Sequence, residues 1–253
     1  MTARAIKIQV RNASMTFKGE GRETRVLGSV NLDVYEGELV CLLGPSGCGK
    51  TTLLNIIAGF LEATGGEVLI DGSPVRGPDR RRIVVFQERG VFPWLTVTGN
   101  IAFGLAELSP QERAQRVAHY TKLVGLVGFE SAYPSELSGG MKQRVEVARA
   151  LAVNPDVLFL DEPFGALDSI TRLGLRRELL RIWEAERKTI LFVTHDIDEA
   201  VQLSDRVVVM GARGSGDVQI VPVDIAHPRD ISSPQYLAIR DGILKAIGLA
   251  HGV

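Results

Sequence analysis

Lys50 and Thr51, at the end of a glycine-rich run, are where the chemistry of this sequence starts. Gly44-Pro45-Ser46-Gly47-Cys48-Gly49-Lys50-Thr51 fits the phosphate-binding pattern G-x-x-x-x-G-K-[ST] at every fixed position. The ammonium of Lys50 suits the β- and γ-phosphate oxygens of a nucleotide. The hydroxyl of Thr51 suits Mg²⁺, a cation that keeps most of its other ligands as water and phosphate. Glycines at 44, 47 and 49 let successive backbone N–H groups turn inward around phosphate oxygens, and a helix N-terminus behind them adds partial positive charge. More than a hundred residues later, Val157-Leu158-Phe159-Leu160 ends in Asp161-Glu162. Phosphoryl transfer needs charge neutralisation and a placed nucleophile. Asp161 is therefore expected in the Mg²⁺ shell, and Glu162 is expected to orient or deprotonate water. Gln87 ends the apolar run Ile83-Val84-Val85-Phe86 and could contact Mg²⁺ or the attacking water. His195 ends a third such run, Thr189 to Thr194; it reads either as a γ-phosphate contact or as a structural imidazole.

These residues need strands that deliver them to one edge. Leu39-Val40-Cys41-Leu42-Leu43 is a short apolar run of strand length, and Thr52 to Ala58 is an apolar stretch stopped by Gly59. The motif thus has its strand–loop–helix context. The runs ending at Gln87, Asp161 and His195 read as buried parallel strands presenting their carboxyl ends, where ligands of α/β proteins bind. Residues 6 to 43 read as an antiparallel β layer: Ile6/Ile8/Val10, Ser14 to Phe17, alternating Val30/Leu32/Val34, and then the strand into the loop. Phe17 is either a core residue or a platform for adenine, and position alone favours the core. Residues 88 to about 153 read as helical. Ser109-Pro110-Gln111-Glu112 carries a cap, a first-turn proline and a capping-box glutamate, ahead of Ala114, Val117, Thr121 and Val124. A second helix starts at Ser138, with Met141, Val145, Ala148 and Ala152 in period. Leu175, Leu179, Ile182 and Trp183 mark a third, and Ser233-Pro234 opens a last one. The irregular apolar segment Val91-Phe92-Pro93-Trp94-Leu95 either folds under into the core or docks a partner.

A chain of 253 residues makes about one large domain, or one with a subdomain. Hydrophobic residues at 45% and charged ones at 23% are ordinary for a globular protein. No apolar run approaches the ~18 residues of a membrane span. The start, Met1 to Ala5, leads into alternating Ile6, Ile8 and Val10 without an apolar leader, so the chain is expected to stay in the cytoplasm. A net charge of −1 supplies no electrostatic reason to expect nucleic acid, and Arg80-Arg81-Arg82 reads as a solvated turn. Cys41 and Cys48 cannot form a disulfide framework. Cys48 reads mainly as a small side chain beside the nucleotide, with a thiol activated by the helix N-terminus as the alternative.

Together these residues resemble the nucleotide-binding subunits of ATP-binding-cassette (ABC) transporters over essentially the whole chain. Leu137-Ser138-Gly139-Gly140-Met141 looks like the family signature and Val157 to Glu162 like its Walker B strand. Ala166-Leu167-Asp168 looks like its D-loop, Gln87 like its Q-loop glutamine and His195 like its switch histidine. The resemblance implies an α/β P-loop NTPase with a RecA-like parallel-sheet core, an N-terminal antiparallel β layer and an inserted helical subdomain. It places the ATPase domain at 1–225, with the insert at about 88–153 and a short tail at 226–253 carrying one helix. It also implies ATP and Mg²⁺ as ligands. Phe17 becomes the adenine-stacking residue, and nucleotide contacts fall on Gly44, Pro45, Ser46, Gly47, Cys48, Gly49, Lys50, Thr51 and Thr52. Mg²⁺ falls to Thr51, Gln87 and Asp161, and catalysis to Glu162, His195, Lys50 and Gln87. Ser138, Gly139, Gly140 and Asp168 would serve the ATP of a second copy in a head-to-tail dimer.

Two departures stand out: Met141, where the family often has Gln, and Phe17, where it often has Tyr. A narrower resemblance, to the nitrate/sulfonate/taurine importers, rests on Phe92 to Val97, Asn100 to Leu105, Glu162 to Asp168 and Thr194 to Ala200. It implies an ATP-hydrolysing subunit on the cytoplasmic face of the membrane. Membrane permease subunits would be its partners, with a substrate-binding protein served indirectly. The alternatives are an exporter or lipid-release ATPase and, further off, a soluble clamp acting on nucleic acid or ribosomes.

Overall fold

Strands and helices alternate through most of the chain. In chain order the strands are β1 (Ile6–Gly19), β2 (Arg22–Tyr35), β3 (Leu39–Leu43), β4 (Gly65–Ile70), β5 (Ser73–Pro74), β6 (Arg82–Val85), β7 (Val157–Asp161), β8 (Thr189–Thr194), β9 (Arg206–Met210) and β10 (Val218–Pro222). The helices are α1 (Lys50–Ala58), α2 (Val97–Ala102), α3 (Pro110–Leu123), α4 (Gly139–Ala152), α5 (Ser169–Glu186), α6 (Ile197–Leu203) and α7 (Pro234–Ala246). The computed structural model describes residues 4–19, 22–86, 90–164 and 169–248, the side chains of 170 and 171 excepted. Two compact units divide the chain, Met1–Asp79 with Thr189–Val253 and, separately, Arg80–Lys188.

The first unit holds two β systems. An antiparallel sheet runs β2-β1-β4-β5. The expected pair of short strands over 6–10 and 14–17 is one long strand, β1, because irregularities between Val10 and Met15 absorb the polar break. Asn12 takes a left-handed φ of 49° there. Its N–H donates to Asn31 Oδ1 at 2.9 Å, and its own Oδ1 accepts from Ser29 and Asn31, both at 3.0 Å. Such a bulge bends the strand and leaves the pairing intact on either side.

β3 corrects the sequence reading, which placed it in the antiparallel layer. It pairs parallel with β8 on one side and with β9 on the other, while β10 lies antiparallel on β9. The reason is visible in its composition: all five of its residues are buried. An unbroken apolar run suits a strand covered on both faces, whereas the alternation of β2 suits one with a single wet face. Helix α1 packs on β8 and on the antiparallel strands, and α6 packs on β3, β8 and α7. Glu38, at the entry to β3, is 3% exposed and accepts from the Arg206 guanidinium and from the Tyr35 N–H. Removing one partner from such a buried pair typically costs about 3–5 kcal/mol.

In the second unit β6 and β7 pair parallel, with Val85 opposite Leu160. Arg82 therefore belongs to a strand rather than to the turn expected for the arginine run. Helices α2, α3 and α4 pack on one another, and α4 also meets β6 and α5. Ser109 caps α3 through the full reciprocal box with Glu112. Val117, Thr121 and Val124 of its expected stripe are buried, whereas Ala114 is exposed. Leu175, Leu179, Ile182 and Trp183 of α5 are all buried. No helix among the described residues is long and apolar enough to cross a membrane.

Candidate functional site

The loop from Gly44 to Thr51 leaves the carboxyl end of β3 and enters α1 at Lys50. Its glycines meet different demands. At Gly44 a Cβ would approach Cys48 Sγ and the Met210 carbonyl, each at 2.9 Å, so only hydrogen fits. At Gly47 a Cβ would meet open space, but φ is +78°, a conformation open to glycine at little cost. Gly49 carries both constraints, with φ +107° and Leu27 Cδ2 2.5 Å from where a Cβ would be. Gly49 is the N-cap of α1, and no side chain among the described residues caps that helix. The start of α1 therefore carries no capping side chain that would compete with an anion there.

Lys50 is 6% exposed, and its ammonium donates to Gly44 O at 2.8 Å and Pro45 O at 3.0 Å. The cation is thus held at the loop by dipoles. Thr51 is exposed and Thr52 half-buried. The arrangement of left-handed glycines, uncapped helix start and cation suits a polyphosphate. Cys48 is 3% exposed, which favours its passive reading, a small side chain filling the loop. Cys41, inside β3, has its thiol pushed up by burial and then by the nearby Glu199 carboxylate.

His195 leaves the sheet at the same edge. Thr194 is opposite Leu43 in the parallel register, so His195 and Gly44 follow adjacent strands outward. The imidazole is exposed and its turn is fixed from below. Thr194 Oγ1 donates to the buried Glu199 at 2.5 Å and accepts from Asp196 N–H at 3.1 Å, while Asp196 caps α6 by accepting from Glu199 N–H at 3.0 Å. Phe17 is 42% exposed, so it is not the core residue that position alone favoured. Its strand runs beside the loop: Met15 pairs with Leu27, the residue that crowds Gly49.

The second unit carries the acids. Asp161 ends β7 and is 7% exposed. Glu162 follows with φ +46°, in the left-handed region that disfavours a side chain with a Cβ. Strained backbone of this kind persists only where surroundings over-determine it, and it clusters at working sites. Gln87 and Asp168, both expected at the site, lie outside the described residues. Ser138 caps α4, its hydroxyl accepting from Met141 N–H at 3.3 Å, with Gly139 half-buried and Gly140 buried behind it. No cluster of three or more His, Cys, Asp or Glu side chains suited to a metal occurs among the described residues.

The sequence reading gave one important group no role of its own. Asn100, fully buried in α2, accepts from Phe92 N–H at 2.8 Å and donates to the carbonyls of Phe92, Leu95 and Thr96 at 3.0–3.1 Å. It fixes the apolar loop from within. Phe92 then stacks on Phe103 with ring centroids 4.4 Å apart, lies 5.4 Å from Trp94 and carries the Arg149 guanidinium 4.5 Å above its ring. Glu146 accepts from the Gly90 N–H. A polar residue amid Val97, Ile101 and Ala102 was the available signal.

Comparison with known proteins agrees with this geometry. A family model described as ABC transporter matches residues 27–165. An uncharacterized ABC transporter ATP-binding protein of Methanocaldococcus jannaschii is 49% identical over 244 residues, covering 96% of this chain and 91% of that protein. An aliphatic sulfonates import ATP-binding protein of Bacillus cereus is 44% identical over 240 residues, 94% of each. Among solved structures, a dimeric ATP-binding cassette in a post-hydrolysis state with ADP and phosphate superposes with a TM-score of 0.74 at 34% identity, over 87% of this chain and 100% of that one. A cassette of Clostridium perfringens, part of a transporter complex, gives 0.76 at 28% identity, over 85% and 87%. With a phosphate loop, strand-end acids and a capped Ser-Gly-Gly helix all in place, the chain belongs to the ABC transporter family as an α/β P-loop subunit that binds and hydrolyses ATP.

Proposed function

We propose that this subunit powers uptake of a small anion, such as an alkanesulfonate, taurine or nitrate, through separate membrane subunits. The observation that carries the importer reading is the apolar loop over 91–95. Trp94 is 68% exposed and neighbouring Phe103 59% exposed, on a loop held rigid by a buried amide. Ordered, exposed aromatic rings suit a protein partner, since such rings bury large area at little entropic cost. In this reading the loop lies near the groove that receives a permease helix. The resemblance to a sulfonate import protein supports the same direction. The subunit then works on the cytoplasmic face of the membrane, with a binding protein delivering the cargo to the permease and no role for nucleic acid.

In the proposed mechanism Phe17 stacks on adenine, and the N–H groups of the loop from Gly44 to Thr52 surround the phosphates. Lys50 exchanges its carbonyl partners for β- and γ-phosphate oxygens. Thr51, Asp161 and Gln87 would hold Mg²⁺, which would supply neutralisation of the charge that develops on the transferred phosphoryl group. Glu162 orients water and accepts its proton. The water oxygen bonds to the γ-phosphorus, and the bond to the β–γ bridging oxygen breaks, leaving ADP and phosphate. His195 contacts the γ-phosphate and reports its presence. Ser138, Gly139 and Gly140 of a second copy, with its Asp168, close the site, so ATP joins two chains and hydrolysis parts them.

Light scattering of Glu162→Gln with and without MgATP tests this. The expected outcome is an ATP-dependent dimer, with turnover reduced by roughly 10²–10⁴-fold, the usual contribution of a positioned base. Unchanged turnover removes Glu162 from its role. A variant that binds ATP and stays monomeric, both alone and with the membrane subunits, removes the half-site at Ser138.

A further inference from the structure

The chain after β10 contributes nothing to the nucleotide contacts above, yet it is wired into the helix that carries His195. Helix α6 begins two residues after that histidine and has only seven residues. A helix this short does not hold its own direction in water. Its N-terminal turn is fixed by Thr194, Asp196 and Glu199. Its other end is fixed from the tail. The guanidinium of Arg229 donates to the carbonyls of Val201 and Ser204, the latter at 2.8 Å, and so satisfies acceptors that the end of α6 leaves open. The same group donates to Val223 O at 3.2 Å and Ile225 O at 2.9 Å, which ties α6 to the segment following β10. A cation at a helix C-terminus also complements the helix dipole. Burial brings the Arg229 pKa down to about 10, partly offset by Asp205 and Tyr236, so the side chain stays charged at neutral pH.

A second tie acts one turn from the histidine. Tyr236, in the first turn of α7, is fully buried, and its hydroxyl donates to Asp198 Oδ1 at 2.9 Å. Asp198 lies in the first turn of α6, three residues past His195. Tyr236 itself is fixed by its position in α7, whose N-cap Ser233 accepts from Tyr236 N–H at 3.3 Å. The tail therefore grips α6 at both ends, and the loop from Gly44 to Thr51 makes none of these contacts.

We propose that Arg229 and Tyr236 are positioning residues for hydrolysis: by clamping α6 they set the direction in which His195 is presented, while ATP binding by the phosphate loop is independent of them. The proposal rests on the reading of His195 as the γ-phosphate contact. It gives the C-terminal segment a role in turnover instead of leaving it as a structural appendage. Removing a clamp lets the turn after β8 sample other orientations, and a small misplacement of a group that must meet a phosphate costs rate more than affinity.

The test is a double-mutant cycle on the full chain, with kcat and KM for MgATP hydrolysis, nucleotide affinity from a fluorescent ATP analogue, and thermal midpoint. The variants are Tyr236→Phe, which keeps the ring and removes only the hydroxyl, Arg229→Met, and each combined with His195→Ala. Tyr236→Phe is expected to lower kcat by about 3- to 10-fold and Arg229→Met by about 10-fold or more, with analogue affinity and KM within about 2-fold. In the His195→Ala background neither substitution is expected to reduce kcat further. Arg229→Lys, which keeps the charge but not the planar fork, is expected to recover only part of the rate. If the losses multiply with that of His195→Ala, or if affinity falls with kcat, the clamp does not act through His195 and the proposal fails while the role of His195 stands. Unchanged turnover in His195→Ala alone overturns the reading of His195 and the proposal with it. Should Arg229→Met not fold, Tyr236→Phe decides by itself.

Discussion

Helices α1 and α4 both begin with glycine-rich turns, and the two starts are built in opposite ways. α1 is entered through Gly49 in a left-handed conformation, without a side-chain cap among the described residues and with a buried lysine as its first residue. α4 is entered through Ser138 in an extended conformation, with its hydroxyl already bonded to Met141 N–H at 3.3 Å. The first start has no capping side chain and brings a cation to the loop. The second has its serine hydroxyl already engaged by Met141 N–H, so an anion arriving there shares that serine. This difference suits a site where one helix grips the nucleotide permanently and the other engages only when a second chain approaches.

Breaking the first start should have the larger consequences. Lys50→Ala removes charge-assisted hydrogen bonds worth about 1.5–3 kcal/mol each, so ATP affinity should fall by roughly 100-fold in a titration with a fluorescent analogue. An unaltered affinity would remove the main support for the phosphate-loop reading. Gly49→Ala forces a Cβ to within 2.5 Å of Leu27 Cδ2 at φ +107°. It should cost about 1–3 kcal/mol in denaturant unfolding, besides weakening ATP binding. Ser138→Ala should cost about 1 kcal/mol, the usual worth of a cap. Its informative effect is on dimerisation: in the Glu162→Gln background the ATP-dependent dimer should weaken while each chain still binds nucleotide. The smallest change is Met141→Gln, which restores an amide at the third position of α4. It should tighten that dimer by a few-fold, consistent with one added hydrogen bond of about 0.5–1.5 kcal/mol, and leave the thermal midpoint almost unmoved.

The same contrast explains how much was legible beforehand. The first start is a local affair, since phosphate chemistry demands particular residue types at fixed spacing, and Gly44 to Thr51 could be read directly. The cap at Ser138 and the capping box at Ser109 were equally local. What the residues could not reveal was pairing. β3 was assigned to the antiparallel layer because it follows β2 directly, although its unbroken apolar run already suited a strand covered on both faces. Phe17 looked like core by position, because exposure depends on what the rest of the fold leaves uncovered. Asn100 entered the resemblance only as part of the run to Leu105 and was given no role, because its partners are carbonyls of an irregular loop, which no periodicity describes. The tail's grip on α6 joins residues about thirty positions apart, with Arg229 acting through backbone acceptors whose identity leaves no trace in side-chain pattern.

Asn100 has one more consequence. The path of the loop from Phe92 to Thr96 is held by a single amide reaching four backbone groups, not by the aromatic rings themselves. Shape and surface chemistry are thereby separated. Exchange of the exposed Trp94 and Phe103 is expected to leave the chain beneath them on its course, whereas Asn100→Asp would turn a carboxylate toward three carbonyls and is expected to disturb it. Under the proposed function those rings act as a socket whose fitting can be recut while its mounting stays in place.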